Sequence, residues 1–311
     1  MPGRRQGDVI STINACVYDK RDRQFLLCCV RGSIEIYDVY SDGKNLIRQR
    51  LIWRTSGFDK SERRSMKLFK SGKTKPIRDL AQSSRLLNRI AKQLGSQDYL
   101  EVGVQNGITF NSIEIPHRDA VDPNFLFETS DYAADKVRFF EMTSDEFFAQ
   151  KCDKTYDLIF LDGLHTFSQC LRDFCAALQV LNKGGVIVVD DTVPMDFFSS
   201  LPTQDLAISA RKEHGLEGRA WTGDVFKVIA TIHNFFPNLQ YVTVKDPNNP
   251  AHKPNTVIWR AQRADFQPAD MSLTDIEALD YFDLPRIERL FCYADYEDGL
   301  KQLFESMKEP E

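Results

Sequence analysis

Several acidic side chains and one imidazole stand out because each follows directly on a short apolar run. Asp122 closes residues 119–122, Asp162-Gly163-Leu164-His165 follows Leu158–Leu161, and Asp190-Asp191-Thr192 follows Val186–Val189. Glu101-Val102-Gly103-Val104-Gln105-Asn106-Gly107 overlaps the end of a fourth run, residues 99–104, and Thr143-Ser144-Asp145 follows a fifth, residues 137–142. In a parallel sheet, ligands collect at the carboxyl ends of the strands, so these residues predict one shared cleft edge. Glycines in the first of these turns let backbone approach a ligand closely, and the helix N-terminus beyond it offers free N–H groups. Gly103 and Gly107 are spaced G-x-x-x-G, which argues against the G-x-G-x-x-G loop of a dinucleotide site. Asp122 is placed to take both hydroxyls of a ribose, and an Asp opening a loop before Pro123 is the alternative.

Asp162, Asp190 and Asp191 at neighbouring strand ends would repel one another unless a cation or cationic substrate sat among them. Hard oxygen donors of this kind suit Mg²⁺, while a purely helix-capping role for Asp190 or Asp191 stays open. His165 lies three residues beyond Asp162, and its ordinary pKa near 6.5 suits a proton acceptor at neutral pH. A packing or capping histidine is the other reading.

The elements that must position these groups follow from periodicity. Residues 8–55 alternate β-rich runs (9–18, 25–30, 33–40 and 46–54) with turn sequences such as Ser41-Asp42-Gly43-Lys44, predicting a small antiparallel meander. Residues 56–78 lose periodicity and collect eight Lys and Arg, which predicts a basic linker. From residue 79 to 94 the pattern turns helical, and from 98 onward strand, loop and helix repeat. Leu158–Leu161 and Val186–Val189 are continuous apolar runs, as buried parallel strands require. Residues 168–181 predict a helix stopped by Asn182-Lys183-Gly184-Gly185, and 239–244 with 256–260 predict a closing antiparallel hairpin. Asp224, in Arg219-Ala220-Trp221-Thr222-Gly223-Asp224-Val225-Phe226-Lys227, is expected to cap a helix starting at Val225, with core packing favoured over a substrate role for Trp221 and Lys227. The expected organisation is a β-rich accessory domain (1–55), a basic linker (56–78), an α/β domain (79–262) and a helical tail (263–311).

Composition bounds the rest. With 42% apolar and 27% charged residues the chain can bury a full core, which excludes collagen-like and disordered classes. Charge is unevenly spread. Residues 1–96 hold 21 Lys and Arg against 9 Asp and Glu, a net of +12, and the remaining 215 carry −17. Phe25–Val30 is far short of the roughly 18 apolar residues of a membrane span. The N-terminal Met-Pro-Gly-Arg-Arg-Gln-Gly-Asp has no apolar stretch, predicting no secretory signal. Seven scattered cysteines without a C-x-x-C pair predict reduced thiols and a cytoplasmic location.

Taken in order, the glycine loop from Glu101 to Gly107, Asp122, Asp162, Lys183-Gly184-Gly185 and the closing hairpin resemble the class I S-adenosylmethionine-dependent methyltransferases over residues 84–262. The D-G-x-H motif at Asp162–His165 is similar to that of a bacterial small-molecule subgroup, itself similar in layout to the metal-dependent catechol O-methyltransferases. The resemblance implies a Rossmann-like, doubly wound, mostly parallel seven-stranded α/β sheet. It also implies S-adenosylmethionine held by Glu101, Gly103, Gly107, Asp122, Met142, Ser144 and Asp162. It further implies Mg²⁺ on Asp162, Asp190 and Asp191, and His165 with Asp162 as catalytic residues. This sequence departs from that layout twice, with Asp191 where the family has Asn and His165 where it has Lys.

The implied activity is O-methylation of a small hydroxylated metabolite or glycoside. A second reading, an RNA-binding or RNA-modifying protein using the basic segment 60–78, is weakened because Phe69 is its one aromatic residue for base stacking and the body is acidic. A third is a fold relative performing metal-dependent hydroxylation. No membrane or nucleic-acid partner is expected, and the β-rich front end and aromatic tail are surfaces suited to a homo-oligomer.

Overall fold

The computed structural model describes residues 15–18, 24–30, 33–41, 46–52, 82–132, 134–150, 154–246 and 253–308. The chain divides into two compact units, residues 1–73 and 74–311.

In the first unit, β1 (Ala15–Tyr18), β2 (Gln24–Val30), β3 (Ser33–Ser41) and β4 (Leu46–Ile52) form one antiparallel sheet in sequence order. Val30 pairs with Ser33 and Ser41 with Leu46. The basic segment 56–78 lies outside the described residues.

The second unit runs α1 (Gln82–Leu94), β5 (Asp98–Val102), β6 (His117–Asp122), β7 (Val137–Glu141), α2 (Ser144–Ala149), β8 (Tyr156–Leu161), α3 (Phe167–Val180), β9 (Leu181–Val189), α4 (Gln204–Glu213) and α5 (Phe226–Phe235). It closes with β10 (Leu239–Lys245), β11 (Asn255–Arg260), α6 (Leu273–Glu277), α7 (Leu284–Ile287), β12 (Tyr293–Asp295) and α8 (Tyr296–Ser306). The sheet order is β12-β10-β11-β9-β8-β5-β6-β7, parallel throughout except where β11 pairs with β9 and β10.

Alternation along the strands sets up both faces. Leu100, Val102, Ile159, Leu161, Ile187 and Val189 pack with Phe174 of α3 and Val228, Ile229 and Ile232 of α5. Their neighbours Tyr99, Leu158, Phe160, Val186 and Val188 pack with Leu86, Leu87 and Ile90 of α1 and Leu300 and Leu303 of α8. Every one of these side chains is buried. Two-sided burial is why the central strands read as continuous apolar runs. Among the described residues no helix is long and apolar enough to cross a membrane.

The structure corrects the sequence in three places. The sheet has eight strands rather than seven, because β12, from the tail expected to be purely helical, adds in parallel to β10 through Thr243↔Tyr293 to Lys245↔Asp295. A three-residue strand carries too little alternation to be legible in sequence. α3 stops at Val180 with Leu181 as its C-cap, as expected, but β9 starts five residues before the apolar run 186–189 and takes in the Gly184-Gly185 pair. There the pairing jumps from Tyr156↔Leu181 to Leu158↔Val186, a local irregularity of the strand. Asp224 does not cap the helix that follows it, as its site geometry shows below.

One polar knot ties β6 and β7 to the start of β8. The buried carboxylate of Asp119 on β6 accepts from the Arg138 guanidinium (2.8 and 2.5 Å), Tyr156 hydroxyl (2.7 Å) and Lys154 ammonium (3.0 Å).

Candidate active site

The carboxyl ends of β5, β6, β7, β8 and β9 open on one cleft of about 820 Å³. Glu101, Gly103, Asp122, Ser144, Asp162, His165, Asp190 and Asp191 all line it. Two expected members do not. Gly107 shapes the turn from behind, where a Cβ would meet Asn111 and Phe127. Met142 packs against the core, its sulfur 2.9 Å from Gln150 Nε2.

The glycine loop is fixed from two sides. Gly103 has φ +87°, and a Cβ there would stand 1.9 Å from the Asp162 carbonyl oxygen, so only glycine lets the loop after β5 pass the loop after β8. Asp122 Oδ2 accepts from the backbone N–H of Val104 and of Gln105, each at 2.8 Å, and Oδ1 accepts from Asn124 N–H at 2.8 Å. Asp122 therefore builds the loop as well as facing the cleft. Glu101 lies beneath, buried, accepting from the Tyr99 hydroxyl at 2.6 Å. Burial holds its carboxyl well above the usual carboxylate range, against the pull of that hydrogen bond.

His165 is held at both ring nitrogens. Its Nδ1 lies 2.8 Å from the Trp221 carbonyl oxygen and 3.0 Å from Asp191 Oδ2, and its Nε2 lies 3.3 Å from Asp162 Oδ1. A carbonyl only accepts, so Nδ1 carries a proton, leaving Nε2 as the nitrogen that can exchange one. The ring stacks on the Trp221 indole at a centroid distance of 4.9 Å. Burial pulls the imidazole pKa down, but the hydrogen bond to Asp162 and the charges of Asp191 and Asp162 outweigh it and push it up to about 9.

The segment around Trp221 is built to hold that ring. Thr222 and Gly223 donate backbone hydrogen bonds to the Ser199 carbonyl, and the Trp221 indole N–H donates to the Leu201 carbonyl at 2.7 Å. Gly223 has φ +53° and a Cβ there would fall 1.7 Å from the His165 carbonyl oxygen, so the segment closes directly on the His165 backbone. Asp224 accepts from the Phe167 N–H at 2.6 Å, so it serves the first turn of α3, beside the N-cap Thr166, rather than its own helix. Lys227 turns away from the cleft. It is buried, donates to the Glu277 carbonyl and pairs with Asp224.

The acids after β9 part company. Asp190 accepts from the Asn255 amide at 2.9 Å and from Asp191 N–H at 2.7 Å, and the Ser83 hydroxyl of α1 lies 3.5 Å away. Burial, then the charges of Asp162 and Asp191, hold its carboxyl well above the ordinary range, which favours the neutral acid. Asp191 sits at φ +56°, an unusual backbone for Asp, and faces the other way, toward His165 and the Lys253 ammonium at 2.5 Å. Asp162, His165 and Asp191 bring one ligand atom each within 4.8 Å of one another, a spacing that one cation could bridge. That trio differs from the expected Asp162, Asp190 and Asp191. Sequence reasoning missed Lys253, Asn255 and Ser83, all outside the strand-tip motifs.

Residues 82–192 match the family described as Methyltransferase domain. The matched stretch is 111 of the 311 residues. The match begins at α1 and ends at Thr192, immediately after the two acids of β9. No curated protein matches the chain. Among solved structures, the O-methyltransferase TomG from Streptomyces achromogenes, involved in tomaymycin synthesis and solved with SAM, is similar to this chain at 14% identity. The similarity covers 59% of this chain and 83% of that one, with a TM-score of 0.39. An O-methyltransferase from Bacillus cereus, solved with SAH, is similar at 14% identity over 59% and 82% of the two chains, with a TM-score of 0.37.

Proposed function

We propose that this chain transfers a methyl group from S-adenosylmethionine to a hydroxyl of a small molecule. The observation that carries the proposal is the convergence of Glu101, Asp122, Ser144, Asp162 and His165 on a single cleft beside the Gly103 turn. The cleft offers a polar cofactor carboxylates for its hydroxyls, hydroxyl and amide groups at Ser144 and Gln169 for its base, and a close backbone approach at Gly103. When bound, the cofactor supplies an electrophilic methyl group on a positively charged sulfur.

The chain's own part is alignment and proton handling. The Trp221 carbonyl and ring hold His165 so that Nε2 is the exchanging nitrogen, next to Asp162. At neutral pH this imidazole carries a proton, which makes it a hydrogen-bond donor to an acceptor oxygen. As pH approaches 9 it becomes a base that can take the hydroxyl proton. Asp162 and Asp191 stabilise the charged ring in either direction of exchange.

The residues do not fit Mg²⁺ as the resemblance implies. Mg²⁺ demands near-octahedral oxygen donors at about 2.1 Å. Here one of the three clustered groups is an imidazole, Asp190 is turned to Asn255, and Asp191 is engaged by Lys253. No step of the proposed reaction runs through a metal.

The test is methyl-labelled S-adenosylmethionine incubated with a pool of hydroxylated metabolites, comparing wild type with His165→Ala. Label should enter an alkali-stable ether with wild type and fall at least about tenfold with the variant. Label appearing on nitrogen, or none at all, rejects the proposal.

A further inference from the structure

Lys253 reaches the cleft because of the one antiparallel hairpin in the sheet. β11 runs against β9, so it begins where the parallel strands end: Thr256 pairs with Val189, and the residues just before it stand beside Asp190 and Asp191. Asn255 then bonds Asp190, and Lys253 Nζ lies 2.5 Å from Asp191 Oδ1. The lysine lines the cleft and its side chain is 31% exposed, whereas the Asp191 side chain is 2% exposed. On its other oxygen, Asp191 faces His165 Nδ1 at 3.0 Å. A buried carboxylate is thus held from both sides by nitrogen groups of the chain itself.

We propose that Lys253 is the built-in cation of this site, holding the place at Asp191 that a divalent ion would need and making the site independent of metal. Like charges on Asp162 and Asp191 require positive partners, and the ammonium at Asp191, with the His165 ring between the two acids, provides them without leaving the chain. A divalent ion would ligate the same oxygen at about 2.1 Å, where an ammonium already in contact repels it electrostatically and sterically. Lys253 acts through Asp191, which in turn faces His165, so it is a positioning residue. Its consequence for catalysis rests on the methyl-transfer proposal, whereas its effect on metal binding does not.

The experiment is a Mn²⁺ titration of the full chain followed by the electron paramagnetic resonance of free Mn²⁺, with S-adenosylhomocysteine titrated into the same samples. Wild type and Lys253→Arg should leave Mn²⁺ free, while Lys253→Met, with Asp191 released, should bind one Mn²⁺ at least about tenfold more tightly. One Mn²⁺ bound by wild type and released by Asp191→Asn overturns the proposal, as does a folded Lys253→Met that leaves Mn²⁺ free. Should Lys253→Met fail to fold, wild type and Lys253→Arg decide, since Mn²⁺ bound by either contradicts the proposal and Mn²⁺ free in both supports it. Failure of wild type to bind S-adenosylhomocysteine would sink the methyl-transfer reading and leave the metal result intact.

Discussion

His165 and Trp221 are joined twice, by a ring stack at 4.9 Å and by the contact of Nδ1 with the Trp221 carbonyl at 2.8 Å. The two contacts fix both the plane of the imidazole and the nitrogen that carries its resident proton. They come from a segment 56 residues downstream, which closes on His165 through Gly223. Gly223→Ala should therefore abolish the stack, since its Cβ would fall on the His165 carbonyl. We expect a loss of methyl transfer of about a hundredfold or more with S-adenosylhomocysteine affinity unchanged, read by kinetics beside calorimetry. An equal loss of both would show that the segment supports the whole fold instead.

The raised pKa of His165 gives the reaction a pH dependence of definite sign. Below about 9 the ring is protonated, and only the neutral fraction can accept a proton. The logarithm of kcat/KM should rise with pH and level off near 9, and His165→Gln should flatten that limb. The same shift stabilises the fold fully below the unfolded value of about 6.5, with the benefit lost as pH climbs through the folded value.

Acid stability has another source. Burial raises the Asp119 carboxyl, but hydrogen bonds from Arg138, Tyr156 and Lys154 outweigh it and hold the pKa below the ordinary range. Stabilisation from a depressed carboxyl is present above about pH 4 and disappears as pH falls through the lower, folded value. Asp119→Asn should cost about 2 to 3 kcal/mol at neutral pH, discounted for the half-exposed Arg138, and should weaken the acid dependence of Tm.

Asp122 holds the glycine loop through two backbone N–H groups, those of Val104 and Gln105. Asp122→Asn should keep the fold, because the loop is confined to one edge of the sheet, and weaken S-adenosylhomocysteine binding about tenfold or more by isothermal calorimetry. Unchanged affinity would mean that the carboxylate serves the loop alone.

Much of this architecture is legible in the residues. Continuous apolar runs at 158–161 and 186–189 disclose two-sided burial, and the acids after them mark the cleft edge because strand ends carry function in such sheets. What escaped is long-range. Lys253 has no motif around it, and its approach to Asp191 depends on the register of β11 against β9. Adjacent Asp190 and Asp191 look equivalent in sequence, yet the left-handed backbone at Asp191 sends them to different partners. Asp224 has the local pattern of a cap for α5, and its real partner, the Phe167 N–H, lies 57 residues away. Gly107 and Met142 belong to the right segments but turn from the cleft, because spacing fixes neighbourhood and not direction.

The central claim is that the strand tips form a cofactor site, and isothermal calorimetry with S-adenosylhomocysteine tests it most directly. Wild type should bind one equivalent saturably, and Gly103→Ala, which drives a Cβ into the Asp162 carbonyl, should lose that binding. Absence of saturable binding to folded wild-type protein would contradict the account.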